Sequence, residues 1–159
     1  MIVDYNDLET CEIELTTECG AGCPQCPRNI FGGETVKDLP ICELSLEDIK
    51  KILPVELIKR LKLVYFCGTY GDPIWARELL PVIKWLREVN PGLEIGLNTN
   101  GSARTEQWWS ELAEVFSDNG YISFSIDGDE ETNHIYRRWT NYDKIIQDRT
   151  DKSSIGFSA

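Results

Sequence analysis

No apolar run in the sequence reaches the length that a bilayer requires. The opening, MIVDYNDLET, is acidic where a secretory signal is basic and then apolar. Both absences predict a soluble, cytoplasmic protein with no membrane partner. Positive charge is scarce: 16 Lys and Arg stand against 27 Asp and Glu, a formal net charge of −11. That excess repels a phosphate backbone and argues against a nucleic-acid partner outside a local basic patch. There is no internal repeat and no low-complexity tract. Histidine occurs once, at His134 in a polar, loop-like stretch, where a solvated side chain is the ordinary role. No cysteine follows Cys67.

What is present is enough for one domain. The chain has 159 residues, 42% of them apolar and 27% charged, as in an ordinary folded core with a solvated surface. Strand-like runs end in small polar residues: CEIELTT, LKLVYFCG, LEIGLNTNG and YISFSIDG. Helical patterns lie between them. SLEDIKKIL offers Ser45 as N-cap with Asp48 three residues on, a capping box. RELLPVIKWLREVN spaces Leu79, Ile83, Leu86 and Val89 along one face, and Asn90-Pro91-Gly92 stops it. TEQWWSELAEVF aligns Trp108 and Leu112 with Val115 or Phe116, and NYDKIIQ begins another helix. The alternation predicts an α/β fold with a parallel sheet, in which ligands bind at the carboxyl ends of the strands. Each of those ends carries unusual residues.

The first end is the most unusual. TTECGAGCPQCPRN holds Cys19, Cys23 and Cys26 in the spacing C-x-x-x-C-x-x-C. Clustered cysteines in a cytoplasmic chain read as metal ligands or redox groups. Gly20, Ala21 and Gly22 let the loop wrap tightly, and Pro24 and Pro27 stiffen its exit. A structural zinc site closes with four protein ligands, whereas three thiolates on a cubane cluster leave one iron open. A zinc module would need His134 or Cys42 as the fourth ligand. Cys11 and Cys67 lie in apolar strand-like runs and read as inert buried thiols; Cys42 has no assigned role.

The cysteine spacing directly after a first strand resembles the signature of the radical S-adenosylmethionine superfamily. The segments VYFCGTYGDPIWARELLPVIKWLRE, GLNTNGS and SFSIDGDEETNHIYRRWTNYDKII resemble later parts of that family's core, in order. The resemblance covers about Glu12 to Gln147. It implies a partial, TIM-like barrel of parallel βα repeats, about four units here. It implies a four-iron, four-sulfur cluster on Cys19, Cys23 and Cys26, with S-adenosylmethionine on the open iron. Reductive cleavage would yield a 5′-deoxyadenosyl radical that takes hydrogen from a substrate. Gly68, Gly71 and Asp72 match the family's glycine-rich acidic turn, with Asp72 accepting from the cofactor's amino group. Thr99 and Ser125 match further polar cofactor positions. Asp127 and Arg138 are open between a cofactor role and, respectively, a turn residue and a surface charge.

Two departures matter. Gln25 stands where the family commonly has an aromatic before the third cysteine. The tail DRTDKSSIGFSA shows no strand pattern, so the barrel's fifth and sixth strands are missing from the expected architecture. Residues 1–159 then form one core domain that ends after the fourth βα unit, an N-terminal fragment or split form. The implied partners are an electron donor such as a flavodoxin or ferredoxin, and a separate C-terminal part that completes the barrel. The alternative is a truncated, catalytically inert module that binds a cluster or zinc.

Overall fold

A computed structural model describes residues 4–116, 119–150 and 156–158. In the strand-forming runs, Ile13 and Leu15, Val64 and Phe66, Ile95 and Leu97, and Ile122 and Phe124 are buried. The residues between them are polar or partly exposed, save Gly96. That period of two gives strands with one covered face. They are β1 (Thr10–Ile13), β2 (Leu63–Phe66), β3 (Glu94–Thr99), β4 (Gly120–Phe124) and β5 (Gly156–Ser158). All pair in parallel and in chain order, β1-β2-β3-β4-β5, as an open sheet. The register sets Ile13, Phe66, Leu97 and Ile122 side by side on the covered face. Glu12, Tyr65, Gly96 and Tyr121 form the matching row on the other face.

The expected partial barrel of parallel βα repeats is therefore present, with one addition. The tail contributes β5, in register with Tyr121 to Ser123 of β4. Three residues at a sheet edge are too few for an alternating pattern to be visible in sequence.

The helices are α1 (Leu46–Ile52), α2 (Val55–Ile58), α3 (Leu79–Val89), α4 (Glu106–Phe116), α5 (Asn133–Tyr136) and α6 (Tyr142–Thr150). Buried apolar side chains of α1, α2, α3, α4 and α6 join those of the strands in one core. The Ser45–Asp48 capping box opens α1. Pro81 sits in the first turn of α3, where its missing N–H costs no helical bond. In α4 the buried face is Trp109, Leu112 and Phe116, one residue away from the expected Trp108. Trp109 packs on Phe124 at 5.6 Å and donates its indole N–H to the Ala103 carbonyl at 3.1 Å. Trp108 meets it edge-on at 5.1 Å and lies under the Arg104 guanidinium. Neither tryptophan borders the cavity described below. Among the described residues, no helix is long and apolar enough to cross a membrane.

Candidate cluster and cofactor site

The cysteine loop follows β1 and is pinned along its length. Asn29 donates from its amide to the Ala21 carbonyl at 3.2 Å, and Arg28 from Nε to the Thr17 carbonyl at 3.0 Å. Turns close it locally, with Cys26 N–H on the Cys23 carbonyl and Asn29 N–H on the Cys26 carbonyl. The small residues have a specific cause. A Cβ on Gly20 would stand 2.5 Å from the Trp75 ring, and one on Gly22 would stand 2.8 Å from the Trp139 ring. Two tryptophans from later loops thus press on the cysteine loop.

The turn after β2 meets the same loop. The Asp72 N–H donates to the Glu18 carbonyl at 2.8 Å. Gly68 folds onto Gly71 so closely that a Cβ there would lie 2.4 Å from the Gly71 carbonyl oxygen. Asp72 then caps the short 3₁₀ turn Pro73–Trp75. Its buried carboxylate takes four donors. The Ile74 N–H (3.2 Å) and Thr99 hydroxyl (2.8 Å) meet one oxygen; the Asn100 N–H (2.7 Å) and side-chain amide (2.6 Å) meet the other. Burial pushes this carboxyl upward, and the bonds from Asn100 and Thr99 pull it back.

A cavity of about 290 Å³ opens at these strand ends. All three loop cysteines border it. So do Gly68, Gly71, Asp72, Thr99 and Ser125, drawn from the ends of β2, β3 and β4. Residues more than a hundred positions apart in sequence therefore share one concave surface. Gln25 is exposed and does not line it; Tyr70 and Tyr136 are its aromatic residues.

The sulfurs differ in their surroundings. Cys19 accepts from the Ala21 N–H at 3.4 Å and from the Asn100 amide at 3.5 Å. Cys23 accepts from Arg137 Nη1 at 3.5 Å, and Cys26 donates to the Thr69 carbonyl at 3.9 Å. Burial, then the nearby Asp72 carboxylate, pushes the Cys19 thiol up to about 11. Burial also raises Cys23, against the opposing charge of Arg137. Bound iron would deprotonate such thiols outright. Among the described residues, no three His, Cys, Asp or Glu side chains are gathered as a single metal ion requires. Three thiols around a cavity, rather than around a point, suit a polynuclear cluster better than one zinc ion. His134 is exposed and lines a separate hollow beside α5 and α6, and Cys42 is exposed in its own loop; neither borders the cysteine cavity.

Several contributors were not legible in sequence. Arg137, not its neighbour Arg138, faces the cavity and pairs with Asp127. Arg138 instead donates to the Phe31 carbonyl at 3.1 Å and buttresses the cysteine loop from outside. Asn100, in the same NTNG run as Thr99, also borders the cavity, and the run itself does not distinguish the two. Cys67 is not the inert buried thiol expected of its apolar strand. It borders the cavity and donates to Glu12 at 2.6 Å, because its side chain falls on the uncovered face of the sheet. Cys11 does pack against the core.

No protein-family model matches the chain. It is 28% identical over 151 residues to the GTP 3′,8-cyclase of Staphylococcus carnosus, covering 91% of this chain and 42% of that protein. It is 26% identical over 115 residues to the tungsten-containing aldehyde ferredoxin oxidoreductase cofactor-modifying protein of Pyrococcus furiosus, covering 72% and 30% respectively. The chain thus spans less than half the length of either relative. Among solved structures, anSMEcpe with bound AdoMet matches with a TM-score of 0.69 and 16% identity, over 95% of this chain and 42% of that one. BtrN in complex with AdoMet and 2-DOIA matches with a TM-score of 0.58 and 17% identity, over 94% and 56%. TsrM from Kitasatospora setae, a radical S-adenosylmethionine methyltransferase with cobalamin and a [4Fe-4S] cluster bound, matches with a TM-score of 0.59 and 12% identity, over 96% and 29%. At these identities the likeness is one of fold.

Proposed function

We propose that this chain, which has the core fold of the radical S-adenosylmethionine superfamily, binds a four-iron, four-sulfur cluster and S-adenosylmethionine as the cluster-bearing part of a radical enzyme. One observation carries the reading. The three cysteines and the five other residues matched to the family's cofactor positions border a single cavity at the strand ends.

Cys19, Cys23 and Cys26 would hold the cluster. When bound, the cluster supplies the electron that cleaves S-adenosylmethionine reductively, and the resulting 5′-deoxyadenosyl radical takes hydrogen from substrate. The chain's own part is placement and shielding. Gly68 and Gly71 let the turn fold on itself and against Thr16, which sets its backbone along the cavity, and Thr99 and Ser125 would offer side-chain oxygens at the adjoining strand ends. Asp72 braces the floor between them. Tyr70 and Tyr136, which border the cavity, would supply the aromatic surface that Gln25 does not. The reading includes an electron donor such as a flavodoxin or ferredoxin, a cytoplasmic setting, and a separate C-terminal part that completes the barrel and selects the substrate.

Anaerobic reconstitution with iron and sulfide tests this. A brown protein with thiolate-to-iron absorption, forming 5′-deoxyadenosine under reduction, is the expected result. Binding of zinc alone through four protein ligands would sink the proposal. A cluster without any cleavage would leave a cluster-binding module rather than an enzyme.

A further inference from the structure

Asp72, Asn100 and Cys19 are joined by a chain of hydrogen bonds whose direction is fixed. The Asn100 amide has two donor hydrogens and a carbonyl with two lone pairs. Its Oδ1 accepts from the Ser102 backbone N–H at 3.0 Å and from the Ser102 hydroxyl. A backbone N–H can only donate, so the amide cannot be flipped and Nδ2 must face the other way. Nδ2 donates to Asp72 Oδ2 at 2.6 Å and to Cys19 Sγ at 3.5 Å. All four capacities of the side chain are used. The Asp72 carboxylate that aims it is itself held by the Ile74 N–H and the Thr99 hydroxyl on its other oxygen. Asp72 and Asn100 are 5% and 3% exposed, so water does not compete for these bonds.

We infer that Asn100 is a positioning residue for the cluster: its amide donates to the Cys19 sulfur, and Asp72 acts through Asn100 by aiming that amide. The inference rests on the reading that Cys19 is a cluster ligand. It gives Asp72 a role other than direct contact with the cofactor's amino group, since about four lone-pair sites on a carboxylate meet four protein donors here. An N–H···S bond withdraws electron density from the thiolate. It therefore favours the reduced cluster, which carries the extra negative charge, and raises the potential.

The experiment is the midpoint potential of the reconstituted cluster, without S-adenosylmethionine, in the full chain. The variants are Asn100→Leu, Asp72→Leu and the pair together. Asn100→Leu removes the donor at similar size. Asp72→Leu removes the acceptor that aims Nδ2, and with it a negative charge whose loss by itself shifts the potential positive. Asn100→Leu is expected to shift the potential negative, and Asp72→Leu to shift it less far positive in the wild-type chain than in the Asn100→Leu chain. Unchanged potentials, or two single shifts that add in full, overturn the relay. Should a variant fail to fold, wild-type protein carrying ¹⁵N in its asparagine side chains answers the question. A ¹⁵N coupling through the hydrogen bond in the pulsed EPR of the reduced cluster supports the inference, and its absence overturns it. A wild-type chain that takes up no cluster overturns the functional reading, and this inference with it; a cluster with unchanged potentials overturns the relay alone.

Discussion

Gly71 lies against the backbone of Thr16 with no room for a side chain: a Cβ there would stand 1.8 Å from the Thr16 carbonyl oxygen. The turn after β2 is locked to the root of the cysteine loop at this point. Gly71→Ala must separate two backbones, and is expected to destabilise the metal-free protein by on the order of 2–3 kcal/mol. At Gly20 the obstacle is the Trp75 ring, which is 38% exposed and can swing away. Gly20→Ala is expected to cost about 1 kcal/mol or less. Urea unfolding of both variants checks the order, and equal stabilities would contradict the packing described.

The six cysteines divide into two sets. Alanine at Cys19, Cys23 or Cys26 is expected to abolish the cluster, because each sulfur faces the cavity from one loop. Alanine at Cys11, Cys42 or Cys67 is expected to leave the iron content unchanged. Cys67 is the informative member, since it borders the same cavity with its thiol turned to Glu12. Iron and sulfide per chain after reconstitution decide the matter; loss of the cluster in Cys67→Ala would redraw the ligand set.

How Cys67 is held predicts its reactivity. Burial and the hydrogen bond to Glu12 push its thiol from 9.0 up to about 12. The folded protein therefore holds this proton more tightly than the unfolded chain. The associated stability is fully present below pH 9 and is lost as pH rises toward 12. Alkylation of Cys67 in the metal-free protein is expected to be slow at pH 8–9 for want of thiolate. Glu12→Gln removes the negative charge and should speed that alkylation several-fold at pH 9. Mass spectrometry of the labelled protein reads it, and a rate that Glu12→Gln leaves unaltered would remove Glu12 as the cause.

What the sequence disclosed was what is local. Cys19, Cys23 and Cys26 declare themselves by spacing, and the Gly68–Pro73 turn by its glycines and acid. The Ser45–Asp48 cap and the strand alternation are read within a few residues. What it concealed depends on partners far along the chain. Asn100 matters through Asp72, across 27 intervening residues of turn, helix and strand. Arg137 and Arg138 follow the four-residue α5, and Arg137 has already left helical geometry, so no helical period tells which of the two faces inward. Only the packing of α5 decides that Arg137 faces Cys23 while Arg138 reaches Phe31. The same ambiguity of one residue hid the choice of Trp109 over Trp108 as the buried member of its pair, which the contact with Phe124 settles.

The central claim is that three cysteines hold a cluster with one iron left for S-adenosylmethionine. Mössbauer spectroscopy of ⁵⁷Fe-reconstituted protein, with and without S-adenosylmethionine, tests it most directly. The account predicts about four irons per chain, one of which changes its isomer shift when S-adenosylmethionine is added. A spectrum in which all the irons are indifferent to S-adenosylmethionine would contradict it.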